Sequence, residues 1–458
     1  MEKRYRTFLS IALLVLFVLM LVVSNPPRSA FASAPPMLRV GLSITGIHLL
    51  LMLEQGDTMI NLKSGAAISL MPGTYRLENK GSGIQISDAA GKSHGIFSGP
   101  LQLVPAQGSF TIGNGRFGSS YRGSLEISMG SNNTLAVVNI VDLESYLRGV
   151  VPREMPSSWG SYGGMEALKA QAVVARSYAL YHIGSGRHRD DPFDLCDTQH
   201  CQVYGGKRAE SSNTDTAVAG TRGVVLTWNG QVIAAYYHST NGGHTECSAN
   251  VWLNALPFLR SEPDPFDDPQ NPSNIRHHAA LWERDVPLSV ISALLAGQAA
   301  AVPVESVQVA STFASGRVNE LRISGGGQTV SFFRERARTA LGLRSQLYRV
   351  RDLPEPRVWV AAAAADGRVT RVSTGELEGR WVAGAHGTGG VLTGERFTAL
   401  AAQRRDSVPY MAYIFEGRGW GHGIGMSQYG AYNRARAGHL HREILSFYYP
   451  GTQLLNAF

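Results

Sequence analysis

Tyr146-Leu-Arg-Gly-Val-Val-Pro-Arg-Glu-Met-Pro-Ser-Ser-Trp159, followed shortly by Glu166-Ala-Leu-Lys-Ala-Gln-Ala-Val-Val-Ala-Arg-Ser-Tyr-Ala179, sets one carboxylate between two prolines and ahead of an alanine-rich segment. Proline fixes its own φ and disfavours helix at the residue before it, which pushes Val151 and Met155 toward extended backbone. The expectation is a stiff, non-helical turn at Glu154, beside apolar Val150, Val151, Met155 and Trp159. A carboxyl group desolvated there has a raised pKa, as a general acid requires. A solvated loop glutamate is the ordinary alternative.

The segment from Gly164 to about Ile183 has no internal glycine or proline and reads as a long helix. Helical spacing groups Leu168, Ala172, Ala175 and Ala179 on a core face. Lys169, Val173 and Arg176 share another face, which sets two cations where they could meet an anion or Glu154; a solvated basic stripe is the alternative.

Upstream, residues 37–125 alternate short apolar runs with turn signals, among them Leu38–Ile44, Gly73–Leu77 and Gly123–Met129, which is the pattern of a β-rich unit. Leu135–Val141 is a further strand entering the Glu154 segment, and strands return at Gly223–Trp228 and Val232–Tyr237. Residues 279–347 read as an α/β insert, with helices near 288–295 and 333–341 and strands near Val307 and 318–323. Two short helices, 426–437 and 441–448, close the chain. The fold class is therefore α+β: a β-rich core with a long central helix, an inserted α/β subdomain and a C-terminal helical segment.

The chain has 458 residues, 44% hydrophobic and 17% charged, enough for a sizeable core. Lys3, Arg4 and Arg6 precede an uncharged apolar run from Phe8 to Val23, and Ala30-Phe-Ala32 resembles a signal-peptidase site. Residues 1–34 are accordingly read as a signal peptide or an N-terminal membrane anchor, with the body of the protein exported. Of the net charge of +7, that leader holds +3, leaving +4 for the exported part. An excess this small, without basic runs interleaved with aromatics, gives no support to nucleic-acid binding.

Three other strings carry chemistry. Gly417-Arg-Gly-Trp-Gly-His-Gly-Ile-Gly-Met-Ser-Gln-Tyr-Gly-Ala431 lacks the Gly-Lys-Ser/Thr ending of a phosphate loop; its glycines position His422, Ser427 and Gln428 instead. Tyr237-His-Ser-Thr-Asn-Gly-Gly-His-Thr-Glu246 offers His238 and Ser239 to a sugar, while the absence of a Gly-x-Ser-x-Gly elbow argues against a serine nucleophile. Phe193-Asp-Leu-Cys-Asp-Thr-Gln-His-Cys-Gln-Val-Tyr204 brings Cys196, His200 and Cys201 within six residues, a spacing that closes on a tetrahedral zinc if His188 or His182 supplies a fourth ligand. A Cys196–Cys201 disulfide is the alternative, with Cys247 as the odd thiol.

Together these strings, with Tyr121-Arg-Gly123 and Tyr449-Pro-Gly-Thr452, resemble the signatures of the stage II sporulation protein D (SpoIID) and amidase-enhancer LytB family, most specifically over 113–270 and 410–453. The resemblance implies a division into 35–112 (β-rich), 113–275 (core), 276–348 (inserted subdomain), 349–409 (strand-and-loop insert) and 410–458 (C-terminal part of the core). It implies a lytic transglycosylase acting on peptidoglycan glycan strands, with Glu154 as its catalytic residue and no organic cofactor. Lys169, Arg176, Tyr178, His238, Ser239, His422, Ser427 and Gln428 are then candidates to orient substrate, and His188, Cys196, His200 and Cys201 to hold a structural zinc. A peptidoglycan amidase is the implied partner, in sporulation or engulfment. The other function the family allows is a non-catalytic, wall-binding enhancer of such an amidase. A zinc hydrolase is disfavoured, since no His-Glu-x-x-His is present.

Overall fold

The computed structural model describes residues 34–44, 46–114, 118–252, 254–297, 302–351, 355–363, 369–373, 381–383, 389–391 and 409–458, with side chains of 352–410 outside the description. The expected leader or anchor therefore lies outside the described residues, and among those described no helix is long and apolar enough to cross a membrane. The chain is α+β, with several sheets around a few helices.

The N-terminal strands build a seven-stranded and a six-stranded sheet. Strand Met37–Leu42 sits between Leu135–Asp142, antiparallel, and Leu195–Cys196, parallel. Alternation sends Leu38 and Val40 into a core shared with Leu49 and Leu51 of the other sheet and with Tyr146, Leu147, Val150 and Val151. Strands on both sides of residue 112 contribute to that core.

Helix α1, Leu143–Glu154, starts at Asp142, whose carboxylate accepts the Ser145 N–H at 3.0 Å. It carries Pro152 in its last turn and ends at Glu154, so the expected non-helical turn is corrected: Glu154 is the final helical residue. Burial of Leu143, Tyr146, Leu147, Val150 and Val151 along one stripe outweighs the local preference of Val151 before proline. The rule holds one residue later, where Met155 before Pro156 is extended, at φ −134° and ψ 134°.

Helix α2, Met165–Ser185, runs between two cores. Ala172, Ala175 and Ala179 face the N-terminal sheets, while Leu168, Val173 and Val174 face a second core with Ile424, Met426, Ile444 and Leu445. A helix wrapped on both sides needs small residues, which explains the alanines. The C-terminal helices, Gln428–Arg436 and His441–Tyr448, pack on it. The insert forms a third core, in which helix Leu288–Ala296 and strands Ser306–Thr312 and Val318–Gly325 pack with strand Pro409–Arg418.

Candidate functional site

Where α1 ends, Pro152, Arg153, Glu154, Met155, Pro156 and Trp159 form one wall of a groove of about 260 Å³, and Ser239, His277, Gln428 and Tyr429 form the other. Among the described residues lining it, Glu154 is the one carboxylate. Burial raises its pKa, and the negative end of α1 acts in the same direction. Three opposing contacts keep the carboxylate within reach of ionisation: the Val203 N–H, which donates to Oε1 at 3.0 Å, the Tyr237 hydroxyl, and the nearby charge of Arg153. Tyr237 is itself held well above the ordinary phenol range by burial, so it stays protonated and donates. Gln202 fixes that direction: its amide donates to the Tyr237 oxygen at 3.3 Å and its carbonyl accepts from Tyr146 at 3.4 Å. The arrangement gives an oriented carboxyl group able both to release and to accept a proton.

Of the residues singled out from the sequence, Glu154, Ser239 and Gln428 come together in the groove. The others do not line it. Arg176 is fully buried and pairs through Nε and Nη2 with Glu144, at 2.7 and 2.9 Å, while Nη1 donates to the Val224 carbonyl. No substrate can reach it there; it ties α2 to α1. Lys169 pairs with Glu166 at 2.6 Å along its own helix. Tyr178 packs its ring on His182, 4.2 Å between centroids. His238 and His422 lie with rings 5.3 Å apart behind the groove, both bound to the backbone of Ile424 and both kept neutral by burial. Ser427 caps the helix Gln428–Arg436, accepting from Gly430 N–H, and donates to Asp267 at 2.6 Å. The residues the sequence reading missed, Gln202, Val203, Tyr237, His277 and Tyr429, mostly adjoin ones it named. Gln202, Tyr237 and Tyr429 stand next to Cys201, His238 and Gln428, Val203 stands one position further on, and His277 lies outside every motif.

Behind Ser239 and Gln428 lies a buried polar network. Asp267 accepts from Thr240 Oγ1 at 2.9 Å, from the Asn241 N–H and from Ser427; Asp264 accepts from Asn241 Nδ2, Tyr448 and Arg434 at 2.6 to 2.9 Å. Burial first, and the adjacent Asp264 charge second, push the Asp267 carboxyl up to about 7.

On the other side, His188, Cys196, His200 and Cys201 converge, with one ligand atom of each within 4.8 Å of all the others. His182, the alternative fourth ligand, stays outside this group, and Cys196 and Cys201 are free thiols, not a disulfide. The N···S separations of 3.2, 3.6 and 3.7 Å match the edge of roughly 3.5 Å that tetrahedral zinc bonds of about 2.0 and 2.3 Å generate. Asp191 sits 2.7 Å from His188 Nδ1, the outer carboxylate that leaves Nε2 as a ligand. The donor set and its geometry thus fit zinc. Cys201 is followed directly by Gln202 and Val203, so whatever fixes the cluster also fixes the segment that holds Glu154.

Residues 131–228 match the model of the SpoIID family, described as stage II sporulation protein. The chain is 33% identical over 331 residues, 67% of its length, to a Bacillus subtilis protein named amidase enhancer, and the match spans only 40% of that longer protein. It is 28% identical over 337 residues to stage II sporulation protein D of the same organism, covering 70% of this chain and 76% of that one. An uncharacterised protein of Brachyspira hyodysenteriae is 28% identical over 82% of this chain and 80% of its own.

Proposed function

On the premise that this chain carries the SpoIID domain, we propose that it is a lytic transglycosylase that cleaves peptide-stripped peptidoglycan glycan strands, with Glu154 as the single acid and base. The observation that carries this reading is the solitary, burial-raised carboxyl group in the groove. Hydrolytic glycosidases as a rule use two carboxylates, one of them to serve water or to act as nucleophile. Intramolecular attack needs only one. Protonated Glu154 gives its proton to the glycosidic oxygen as the C1–O bond breaks, and the bonding pair leaves with the departing sugar. The carboxylate then takes the proton of the muramyl 6-hydroxyl as O6 bonds to C1, closing the 1,6-anhydro ring. Glu154 ends protonated and ready for the next bond. Val203 N–H and the Tyr237 hydroxyl stabilise the carboxylate between the two transfers.

The four-ligand cluster holds a structural zinc in this reading; the ion supplies scaffolding and takes no part in the proton transfers. The protein works outside the cytoplasm, facing the wall, tethered or secreted according to the fate of residues 1–34, in sporulation and beside a peptidoglycan amidase. The relative named amidase enhancer favours a second reading, a wall-binding protein that stimulates a separate amidase without cutting glycan itself.

Mass spectrometry of peptide-free glycan strands incubated with residues 35–458 separates the two. Anhydro-muramyl ends from the wild type and none from Glu154→Gln support the transglycosylase. Reducing ends signal hydrolysis, and intact strands with retained binding leave only the enhancer.

A further inference from the structure

The aromatic side chains at the groove do not stop at its rim. Tyr429 meets Trp159 edge-on, with centroids 4.9 Å apart, and His277 on its other side at 5.2 Å. His277 in turn meets Trp420 at 5.2 Å, and the Arg344 guanidinium lies 5.2 Å from the Trp420 ring centroid. Trp420 is 40% exposed, although its backbone is pinned on both sides by N–H and C=O bonds to Thr240. The Gly421 N–H binds the Arg344 carbonyl at 2.9 Å, tying the arginine to the same loop. A large ring left in water on a rigid loop, contiguous with a groove, marks a binding surface more than a packing need.

His277 is prepared in the same sense. The Ala279 N–H donates to its Nδ1 at 2.9 Å, so the neutral ring carries its proton on Nε2. Burial, with help from His278 and Arg344, lowers its pKa to about 4, which leaves a fixed donor and no charge at neutral pH.

We propose that Tyr429, His277 and Trp420 form a carbohydrate-binding ledge that extends the Glu154 groove along one glycan strand, with Arg344 at its outer end meeting the carboxylate of an N-acetylmuramic acid residue. The inference rests on the glycan-cutting reading of the groove and adds to it the run of sugars beyond the cleaved bond. Pyranose rings present C–H faces that pack on aromatic rings and hydroxyl edges that need donors, and the ledge alternates the two. Its ring-to-ring steps are about as long as one sugar unit. An arginine at the end suits a strand whose alternate sugars bear a carboxylate and adds nothing for an uncharged chitin chain.

The test uses the Glu154→Gln protein, which leaves strands uncut, with labelled peptide-free di-, tetra- and octasaccharides of peptidoglycan and matched chitin oligomers. Affinity is expected to rise with length, and Trp420→Ala to remove about tenfold of the octasaccharide affinity while sparing the disaccharide. Trp420→Phe should restore most of it, which separates loss of a ring from loss of the loop. Arg344→Gln should erase the preference for peptidoglycan over chitin. Affinity independent of length, or a length gain that survives Trp420→Ala, overturns the ledge even if the wild type still releases anhydro products. If the wild type cuts nothing while length-dependent, Trp420-sensitive binding persists, the ledge stands and the transglycosylase reading falls.

Discussion

Behind Glu154, the segment that carries Gln202 and Val203 hangs from two thiols and two imidazoles; behind Ser239 and Gln428, on the facing wall, two buried carboxylates are closed in by an arginine, a tyrosine and hydroxyls. Both devices place side chains in one groove, but the first is a set of metal-ligating side chains, which the proposed zinc would order, and the second is held by the chain's own hydrogen bonds and charges. Each wall also has a glycine that cannot gain a methyl group. A Cβ at Gly149 would stand 2.4 Å from the Tyr204 ring, next to Val203, and one at Gly430 would stand 2.1 Å from the Tyr448 hydroxyl. The walls are therefore separately breakable. Loss of the first should disarm the acid, and loss of the second should loosen the grip on substrate.

The largest effect should come from the acid itself. Glu154→Gln should lower product formation by about 10²- to 10⁴-fold, the usual weight of a general acid–base group, with the melting temperature little changed. A pH–rate profile sharpens this. Because the working acid is protonated, activity should fall as pH rises through the raised pKa of Glu154. Tyr237→Phe removes a bond that favours the carboxylate, so the alkaline limb should move to higher pH. A limb that stays in place would mean that Tyr237 does not act on this group.

Removing the proposed zinc should come next. Chelation, or Cys201→Ser, should cost roughly 10- to 100-fold in rate as Val203 and Gln202 lose their fixed position. Metal content measured by mass spectrometry should fall from one zinc per chain in parallel with activity. Full activity in metal-free protein would break the proposed link between the cluster and Glu154. Gly149→Ala attacks the same wall by crowding, with an expected destabilisation of about 1–3 kcal/mol in denaturant titration and a rate loss larger than that of Gly430→Ala.

These contrasts also explain what the sequence could and could not reveal. The cluster was legible because Cys196, His200 and Cys201 are close in the chain and their chemistry is scarce; even the choice of His188 over His182 follows the described geometry. Glu154 is singled out by the resemblance of its motif, since its apolar and proline-flanked setting alone leaves a solvated glutamate open, and the backbone around it differs from the expectation: burial of Val150 and Val151 carries helix α1 through Pro152. Arg176 and Lys169 do not reach the groove because spacing on a helix fixes a face without saying what faces it: Arg176 meets Glu144 of another helix, and Lys169 pairs with Glu166 one turn back on its own. His277 sits in a stretch with no motif at all, and only the fold carries it to the groove.

The smallest effect, and the one that isolates the facing wall, is the pH dependence of its buried acid. Asp267 has a folded pKa of about 7 against roughly 3.9 in an unfolded chain, so between these values the folded state holds a proton that the unfolded state has lost. Stability from this group is then fully present below about pH 4 and is lost as pH rises through 7, the reverse of a salt-bridged aspartate. Asp267→Asn cannot titrate. The stability difference between wild type and Asp267→Asn, measured by urea unfolding at matched pH values, should grow in favour of the wild type as pH falls from 7 to about 4, since titrations common to both proteins cancel. At neutral pH the variant should lose about 1 kcal/mol or a little more, because the amide cannot accept from Thr240, Asn241 and Ser427 as the carboxylate does. Parallel stability curves would mean that Asp267 stays ionised in the fold, held so by its three donors, and that the wall network is balanced by charge instead of by a retained proton.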